Sequence, residues 1–201
     1  MEDGQLIIAV SREFGSAGHV IAEHLAKHYN LPLYDDNFLK EVLSDKGVEN
    51  SEIHKYDEKH KRFGVYRAVR GMDSSPEAII AKMQFDFLKK KASAGESYVI
   101  VGRCAETVLK EYPALVSIFV MGDKKEKVER ISQIYNLTPE KAERLRIEKD
   151  YKRRKYHNNY CDMKWGDSRN YQICINSSKI GIDGTLAVLI CYIDEKRKHK
   201  H

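Results

Sequence analysis

A short glycine-containing loop, Gly15-Ser16-Ala17-Gly18, is the first stretch of this sequence that could do chemistry. It follows the apolar run "QLIIAV" (5–10) and leads into "HVIAEHLAKHY", whose apolar residues repeat at the spacing of a helix. Between a buried strand and a helix N-terminus, backbone N–H groups and the helix dipole can hold an anion. This stretch alone is compatible with either a phosphate-binding site or a simple tight turn.

The end of the loop differs from the usual phosphate-binding motif, which closes on Gly-Lys-Ser or Gly-Lys-Thr. Here the lysine that reaches the outer phosphates is replaced by His19, and Val20 has no hydroxyl for Mg²⁺. Arg12 and His19 could replace part of the missing charge, with Arg12 preferred because a guanidinium is always protonated. If the loop is a phosphate site, the contacts come from Gly15, Ser16, Ala17, Gly18, His19 and Val20.

Two charged residues end other predicted strands at what should be the same sheet edge. Arg103 comes directly after the buried strand "SYVIVG" (97–102), and Asp35 closes "LPLYD" (31–35). Ligands gather at the carboxyl ends of parallel strands, which favours a ligand contact for Arg103 over a structural ion pair. For Asp35 two roles are compatible with the sequence: contact with an acceptor, or a polar strand end that leads into a helix N-cap.

A helix predicted over 139–160 carries Arg146, Asp150 and Arg153 on one face, at the spacing i, i+4, i+7. Two arginines around one carboxylate can hold phosphates, while the carboxylate orients a guanidinium or accepts a sugar hydroxyl. A solvated charged face is the alternative.

Polar residues precede the closing helix, which is predicted to begin at Gly181 within "NSSKIGIDGTL". Ser177, Ser178 and Asp183 are good helix caps, and capping is the preferred role. Contact of Ser177 or Ser178 with a nucleotide base is the second interpretation.

The four cysteines (Cys104, Cys161, Cys174 and Cys191) show no CxxC spacing and no paired histidines close by in the sequence. This pattern predicts reduced thiols in a cytoplasmic protein, and neither a metal site nor a disulfide framework.

The bulk composition fits one domain with an anionic ligand. The chain has 201 residues, of which 42% are hydrophobic and 32% charged, and its net charge of +5 is concentrated in 141–155 and the last six positions. No apolar run is long enough to span a bilayer, so no membrane partner is expected. Nucleic acid is the least favoured partner, because the basic residues are not interleaved with aromatic side chains.

Predicted strands alternate with helices along the chain, at 5–10, 31–35, 97–102, 115–121 and 171–176. This order predicts an α/β fold in which a parallel five-stranded sheet is flanked by helices in three layers.

Taken as an ordered set, the motifs resemble the cytidylate kinase-like family, within the P-loop class of nucleoside monophosphate kinases. The resemblance covers nearly the whole chain and is carried by "SREFGSAG", "LPLYDDNFL", "VIVGRCA", the spacing of the three charged residues on helix 139–160, and "KWGDSRNYQICINSSKIGID". It implies a single P-loop kinase-like domain over 1–201, with a helical acceptor-binding segment (36–95) and a lid-like helical segment (134–165). Cytidylate kinases carry Gly-Arg-Asp where this chain has Gly102-Arg103-Cys104, and they keep the loop lysine.

The resemblance implies phosphoryl transfer from ATP, with Mg²⁺, to a nucleoside monophosphate such as CMP or dCMP. Arg12, His19, Arg146 and Arg153 would neutralise the transferred group, and the acceptor would contact Asp35, Arg67, Arg70, Arg103 and Asp150. No protein ligand for Mg²⁺ is assigned, so water and phosphate oxygens are expected to hold it.

Two other functions stay open. A degenerate nucleotide-binding module without catalysis would account for the missing lysine and hydroxyl. A kinase of another small metabolite would account for Cys104 and for the unassigned residues 46–74, where acceptor recognition should lie.

Overall fold

A parallel five-stranded sheet forms the centre of the protein in a computed structural model that describes residues 4–35 and 76–199. The strands are β1 (Ile7–Arg12), β2 (Leu33–Tyr34), β3 (Tyr98–Val101), β4 (Leu115–Met121) and β5 (Ile173–Asn176). They lie in the order β2-β3-β1-β4-β5, and every neighbouring pair is parallel. The carboxyl ends of β1, β3 and β4 are therefore adjacent, at the centre of the sheet.

Six α-helices are described: α1 (Gly18–His28), α2 (Pro76–Ser93), α3 (Ala105–Val108), α4 (Lys124–Tyr135), α5 (Pro139–Tyr160) and α6 (Ser177–Lys198). Alternate residues of β1 enter different cores, because successive side chains of a strand point to opposite faces. Ile8 and Val10 pack with α1 and α6, whereas Ile7 and Ala9 pack with α2 and α3. The predicted three-layer α/β fold with a parallel sheet is thus confirmed.

Element bounds differ from the predicted ones mainly at β1 and α6. β1 reaches Arg12, because it stays paired with β4 as far as Arg12 opposite Val120. α6 begins at Ser177, four residues before the predicted start at Gly181, where the backbone leaves helical geometry with φ of 71°. Predicted elements within 36–75 lie outside the described residues, so the division into acceptor-binding and lid-like segments stays a prediction. Within the described ranges, no helix is both long and apolar enough to cross a membrane.

The cap of α6 corrects the predicted capping role of Ser177 and Ser178. Asn176 caps the helix, since its side-chain oxygen accepts a hydrogen bond from Ser178 N at 3.0 Å. The Asn176 amide also donates to Asp123 Oδ1 at 2.7 Å, which ties the end of β5 to the start of α4. Asn176 is therefore held from two sides. The hydroxyls of Ser177 and Ser178 make contacts elsewhere.

Candidate functional site

The glycine loop connects β1 to α1 and is packed so closely that two of its glycines are sterically required. A Cβ on Gly18 would lie 2.4 Å from Arg12 Cβ, and one on Gly15 would lie 2.9 Å from Lys127 O. Gly15 also has φ of +86°, in the left-handed region that favours glycine. α1 starts after Ala17, whose side chain cannot accept from the first-turn N–H groups. No side chain of Ala17 caps the first turn of α1. The N–H groups of that turn could instead donate to a bound anion.

Arg12 lies beneath this loop and reaches the end of β3. A Cβ on Gly102 would lie 2.5 Å from Arg12 Nη1, so the guanidinium fills the space beside that glycine. The backbone turns sharply there, with positive φ at Gly102, Arg103 and Cys104. The Arg103 guanidinium lies over the ring of Tyr156 at 5.7 Å. Arg12 and Arg103 are thus brought to one edge of the sheet, as the sequence predicts.

The charged face of α5 packs directly on the loop. Asp150 Oδ1 accepts a hydrogen bond from Phe14 N at 2.6 Å. Arg153 Nη1 donates to Arg12 O at 3.2 Å, and its guanidinium lies 5.3 Å from the centre of the Phe14 ring. Arg146 pairs with Asp150 Oδ2 at 3.4 Å. Asp150 and Arg153 therefore pack on Phe14 and Arg12, immediately before the loop, and Arg146 is joined to them through Asp150, so this face of α5 is not merely solvated.

Asp150 is the buried charge of this arrangement. Its residue is 7% exposed, and burial raises the pKa of the carboxyl, against the lowering effect of the Phe14 N–H and of Arg153. Arg146 is held in place by Glu143, whose carboxylate accepts from its Nε and Nη2 at 2.7 and 3.0 Å. A carboxylate is therefore placed on the loop between two arginines.

Two basic residues of α4 support the loop, and neither was selected from the sequence. Lys127 Nζ donates to Glu13 Oε2 at 2.6 Å, and Arg130 donates to the carbonyl oxygen of Gly15. Glu13 Oε2 also accepts from Gly122 N, at 3.1 Å. Lys127 is buried. In the sequence, the spacing i, i+3 of Lys127 and Arg130 after a predicted strand was the one indication that these two basic residues share a helix face.

His19 and Asp35 meet at the start of α1. His19 Nε2 lies 3.7 Å from Asp35 Oδ2 and 3.2 Å from Glu23 Oε1. His19 is thus placed between two carboxylates at the partly exposed side of the loop. The position that would hold a lysine in the usual motif faces acidic groups here.

Ser177 and Ser178 are engaged with the protein's own backbone. Ser177 Oγ lies 2.7 Å from Ser16 O, to which it donates, and Ser178 Oγ accepts from Asp123 N at 2.9 Å. Ser177 thus holds the loop from the α6 side. Arg67 and Arg70, the other predicted acceptor contacts, lie outside the described residues.

The cysteines are unpaired, but two of them lie in a cluster that their spacing in the sequence did not predict. All four are free thiols, as predicted. Cys104 and Cys161, however, lie side by side in the interior next to His157 and Glu106, although these residues are far apart in sequence. The spacing of the residues along the chain gave no sign of this cluster.

Comparison with known proteins gives relatives over almost the whole chain. The model of the cytidylate kinase-like family matches residues 7–179. A cytidylate kinase of Pyrococcus horikoshii is 25% identical over 195 residues, which cover 96% of this chain and 91% of that protein.

Two solved structures show the same fold. An uncharacterized protein from Eubacterium ventriosum is 39% identical, with a TM-score of 0.76 over 94% of this chain and 99% of that one. A shikimate kinase from Bacteroides thetaiotaomicron is 10% identical, with a TM-score of 0.55 over 94% of this chain and 98% of that one, a likeness of fold alone. With the strand order, the loop and the converging α5 arginines, the family match establishes that this chain belongs to the cytidylate kinase-like family.

Proposed function

We propose that this protein transfers the terminal phosphoryl group of ATP to a nucleoside monophosphate, with CMP and dCMP the first acceptors to test. One observation carries the proposal: Asp150 and Arg153 of α5 bond to the backbone of Phe14 and Arg12, immediately before the glycine loop, and Arg146 pairs with Asp150. Phosphoryl transfer needs mainly positioning and neutralisation of spreading negative charge. Arginines beside a loop of backbone donors supply both.

The donor phosphates are assigned to the loop from Gly15 to Val20. In the structure the Phe14 N–H, immediately before this loop, donates to a carboxylate oxygen of Asp150, so this donor can bind an anionic oxygen. A phosphate oxygen would compete for the same N–H, and Asp150 would then be free to orient Arg146 or accept from the acceptor's sugar. This exchange couples nucleotide binding to a shift of α5.

Charge neutralisation is assigned to Arg12, Arg146 and Arg153, with His19 as a weaker contributor. Arg12 packs against Gly18 through its Cβ and against Gly102 through its guanidinium, which places its charge between the loop and the end of β3. His19 sits beside Glu23 and Asp35, whose carboxylates oppose an anion at this position. Arg103, Asp35 and Asp150 are assigned to the acceptor, together with Arg67 and Arg70.

The residues present do not fit a protein-held Mg²⁺ site at the loop. Mg²⁺ prefers oxygen ligands in octahedral geometry, but the motif position that normally supplies a hydroxyl is Val20. The nearby Glu13 carboxylate is held by Lys127 and Gly122 N. Mg²⁺ therefore enters the proposal with ATP, held by phosphate oxygens and water.

A non-catalytic nucleotide-binding module is the second candidate, and the placement of His19 between two carboxylates favours it. A kinase of another small metabolite is the third, supported by Cys104 in place of the family's aspartate. Coupled measurement of ADP release with ATP and Mg²⁺ across the nucleoside monophosphates separates them. We expect turnover with at least one pyrimidine monophosphate. Measurable ATP binding without turnover of any acceptor would leave the binding module.

A further inference from the structure

Four buried side chains outside the proposed nucleotide site form a cluster of metal-ligand types: Cys104, Glu106, His157 and Cys161, here called the thiol–imidazole cluster. Their residues are between 3% and 8% exposed. Cys104 is the N-cap of α3 and Glu106 lies in its first turn, whereas His157 and Cys161 come from the C-terminal end of α5. Buried polar groups of this kind need partners, because their desolvation is costly.

Three of the four residues bring ligand atoms close enough together to share one ion, and Cys104 lies beside this group. One ligand atom from each of Glu106, His157 and Cys161 can be chosen so that all lie within 4.8 Å of one another. The Cys104 thiol contacts the Cys161 thiol. Ligand atoms around a tetrahedral zinc ion lie about 3.3–3.8 Å apart, given bonds of about 2.0–2.3 Å. Now 2.7 Å apart, His157 Nε2 and Glu106 Oε1 would have to separate by only about 1 Å.

The surroundings supply the supports that metal ligands usually have. Glu106 Oε2 accepts from Ser11 Oγ at 3.1 Å, which fixes the carboxylate from the side of β1. The Cys161 thiol lies in hydrogen-bonding contact with both the Cys104 thiol and the His157 imidazole, which brings three of the proposed ligands together.

We propose that the thiol–imidazole cluster binds one divalent transition-metal ion of the zinc class, with Cys104, Cys161, His157 and Glu106 as ligands. Two sulfurs, one nitrogen and one carboxylate oxygen suit Zn²⁺ or Co²⁺, whereas Mg²⁺ and Ca²⁺ prefer oxygen ligands alone. A closed, buried site with four protein ligands is structural in type. The ion would fasten the end of α5 to the turn that carries Arg103.

The test uses the full 201-residue chain, stripped of metal, reduced with a reagent that contains no thiol, and titrated with Co²⁺. We expect one Co²⁺ per chain, with thiolate-to-cobalt charge-transfer absorption and the visible bands of a tetrahedral site, both lost on displacement by Zn²⁺. Cys104→Ser and Cys161→Ser should each weaken binding by more than about tenfold, the lower end for loss of even an outer-sphere partner. Cys174→Ser and Cys191→Ser are the matched controls and should leave the titration unchanged.

The titration of the unmutated protein decides the proposal even if a variant fails to fold. Zn²⁺ should also raise the thermal unfolding midpoint of that protein, because the folded state holds the complete site. Absence of stoichiometric charge-transfer absorption overturns the proposal. Equal binding by the double variant Cys104→Ser/Cys161→Ser also overturns it, because the ion would then lie elsewhere. None of these readouts depends on phosphoryl transfer.

Discussion

At the scale of single residues, Arg153 connects α5 to the residues immediately before the glycine loop. Its guanidinium donates to the backbone of Arg12 and lies over the ring of Phe14. These contacts hold a positive charge beside the residues that lead into the proposed phosphate loop. Lys152, its neighbour in sequence, points to an exposed pair with Glu148. Substituting each of these two residues in turn therefore separates a specific role beside the loop from a general effect of positive charge on the helix.

Arg153→Ala is expected to lower turnover in the ADP-release assay by about ten- to a thousandfold, the order found when one charge-stabilising contact is lost. Lys152→Ala removes the same charge from the same helix and should keep the full rate. An Arg153→Ala enzyme that keeps full rate would show that the α5 arginines do not act on the transferred group.

Gly18 tests the packing of the loop itself. In Gly18→Ala the new Cβ would lie 2.4 Å from Arg12 Cβ, an atom too close to the backbone to move away. We expect a loss of about 1–3 kcal/mol in the free energy of unfolding, the range for overpacking, measured by urea denaturation.

Gly95→Ala is the comparison variant for this measurement. Gly95 has φ of +78° and nothing within 4 Å of its added Cβ, so it reports backbone strain without a clash. Its cost should stay near about 1 kcal/mol. Wild-type stability in Gly18→Ala would contradict the described approach of β1 to α1.

At the scale of elements, the start of α5 was predictable and its docking was not. Thr138 caps the helix, with Pro139 in the first turn, and this local pattern is visible in the sequence. The contact of Asp150 with Phe14 N joins residues 136 positions apart, and no local pattern encodes such a contact. The i, i+4, i+7 spacing predicted which α5 residues share a face. It could not predict that Glu13 and Lys127 would neutralise each other beneath the loop.

Glu143 gives a pH-dependent test of how α5 is held. Its hydrogen bond from Arg146 is the main cause that lowers the pKa of Glu143 from 4.5 to about 2. The folded protein therefore binds this proton less readily than the unfolded chain, so the pair stabilises the fold above about pH 4.5. That contribution is lost as the pH falls toward about 2.

Glu143→Gln should cost about 1–3 kcal/mol of unfolding free energy at about pH 6, with the difference from wild type shrinking at about pH 3. Urea denaturation at both pH values measures it. Glu148→Gln breaks an exposed pair on the same helix and should change stability by less than about 1 kcal/mol. A difference between Glu143→Gln and wild type that does not depend on pH would contradict the ion pair.

At the scale of the whole molecule, the sheet and the helix order follow from pattern. The apolar runs of β1, β3 and β4 are nearly continuous, as in strands covered on both faces, and their pairing gives the predicted parallel sheet. Clusters of side chains from different helices and strands could not be predicted from the sequence. Cys104 and Cys161 are 57 positions apart in the chain, and they meet only because α5 ends beside the turn after β3. Spacing in the sequence predicts which residues share a face of one helix or strand. Predicting which residues of different elements meet requires the three-dimensional fold.

The loop from Gly15 to Val20 is proposed to hold the donor phosphates, and a crystal structure with Mg²⁺ and a non-hydrolysable ATP analogue tests this most directly. We predict phosphate oxygens within about 3.2 Å of loop N–H groups, with Arg12, Arg146 or Arg153 on the outer phosphate. A nucleotide bound elsewhere, with Asp150 still on Phe14 N and no phosphate at the loop, would contradict the account.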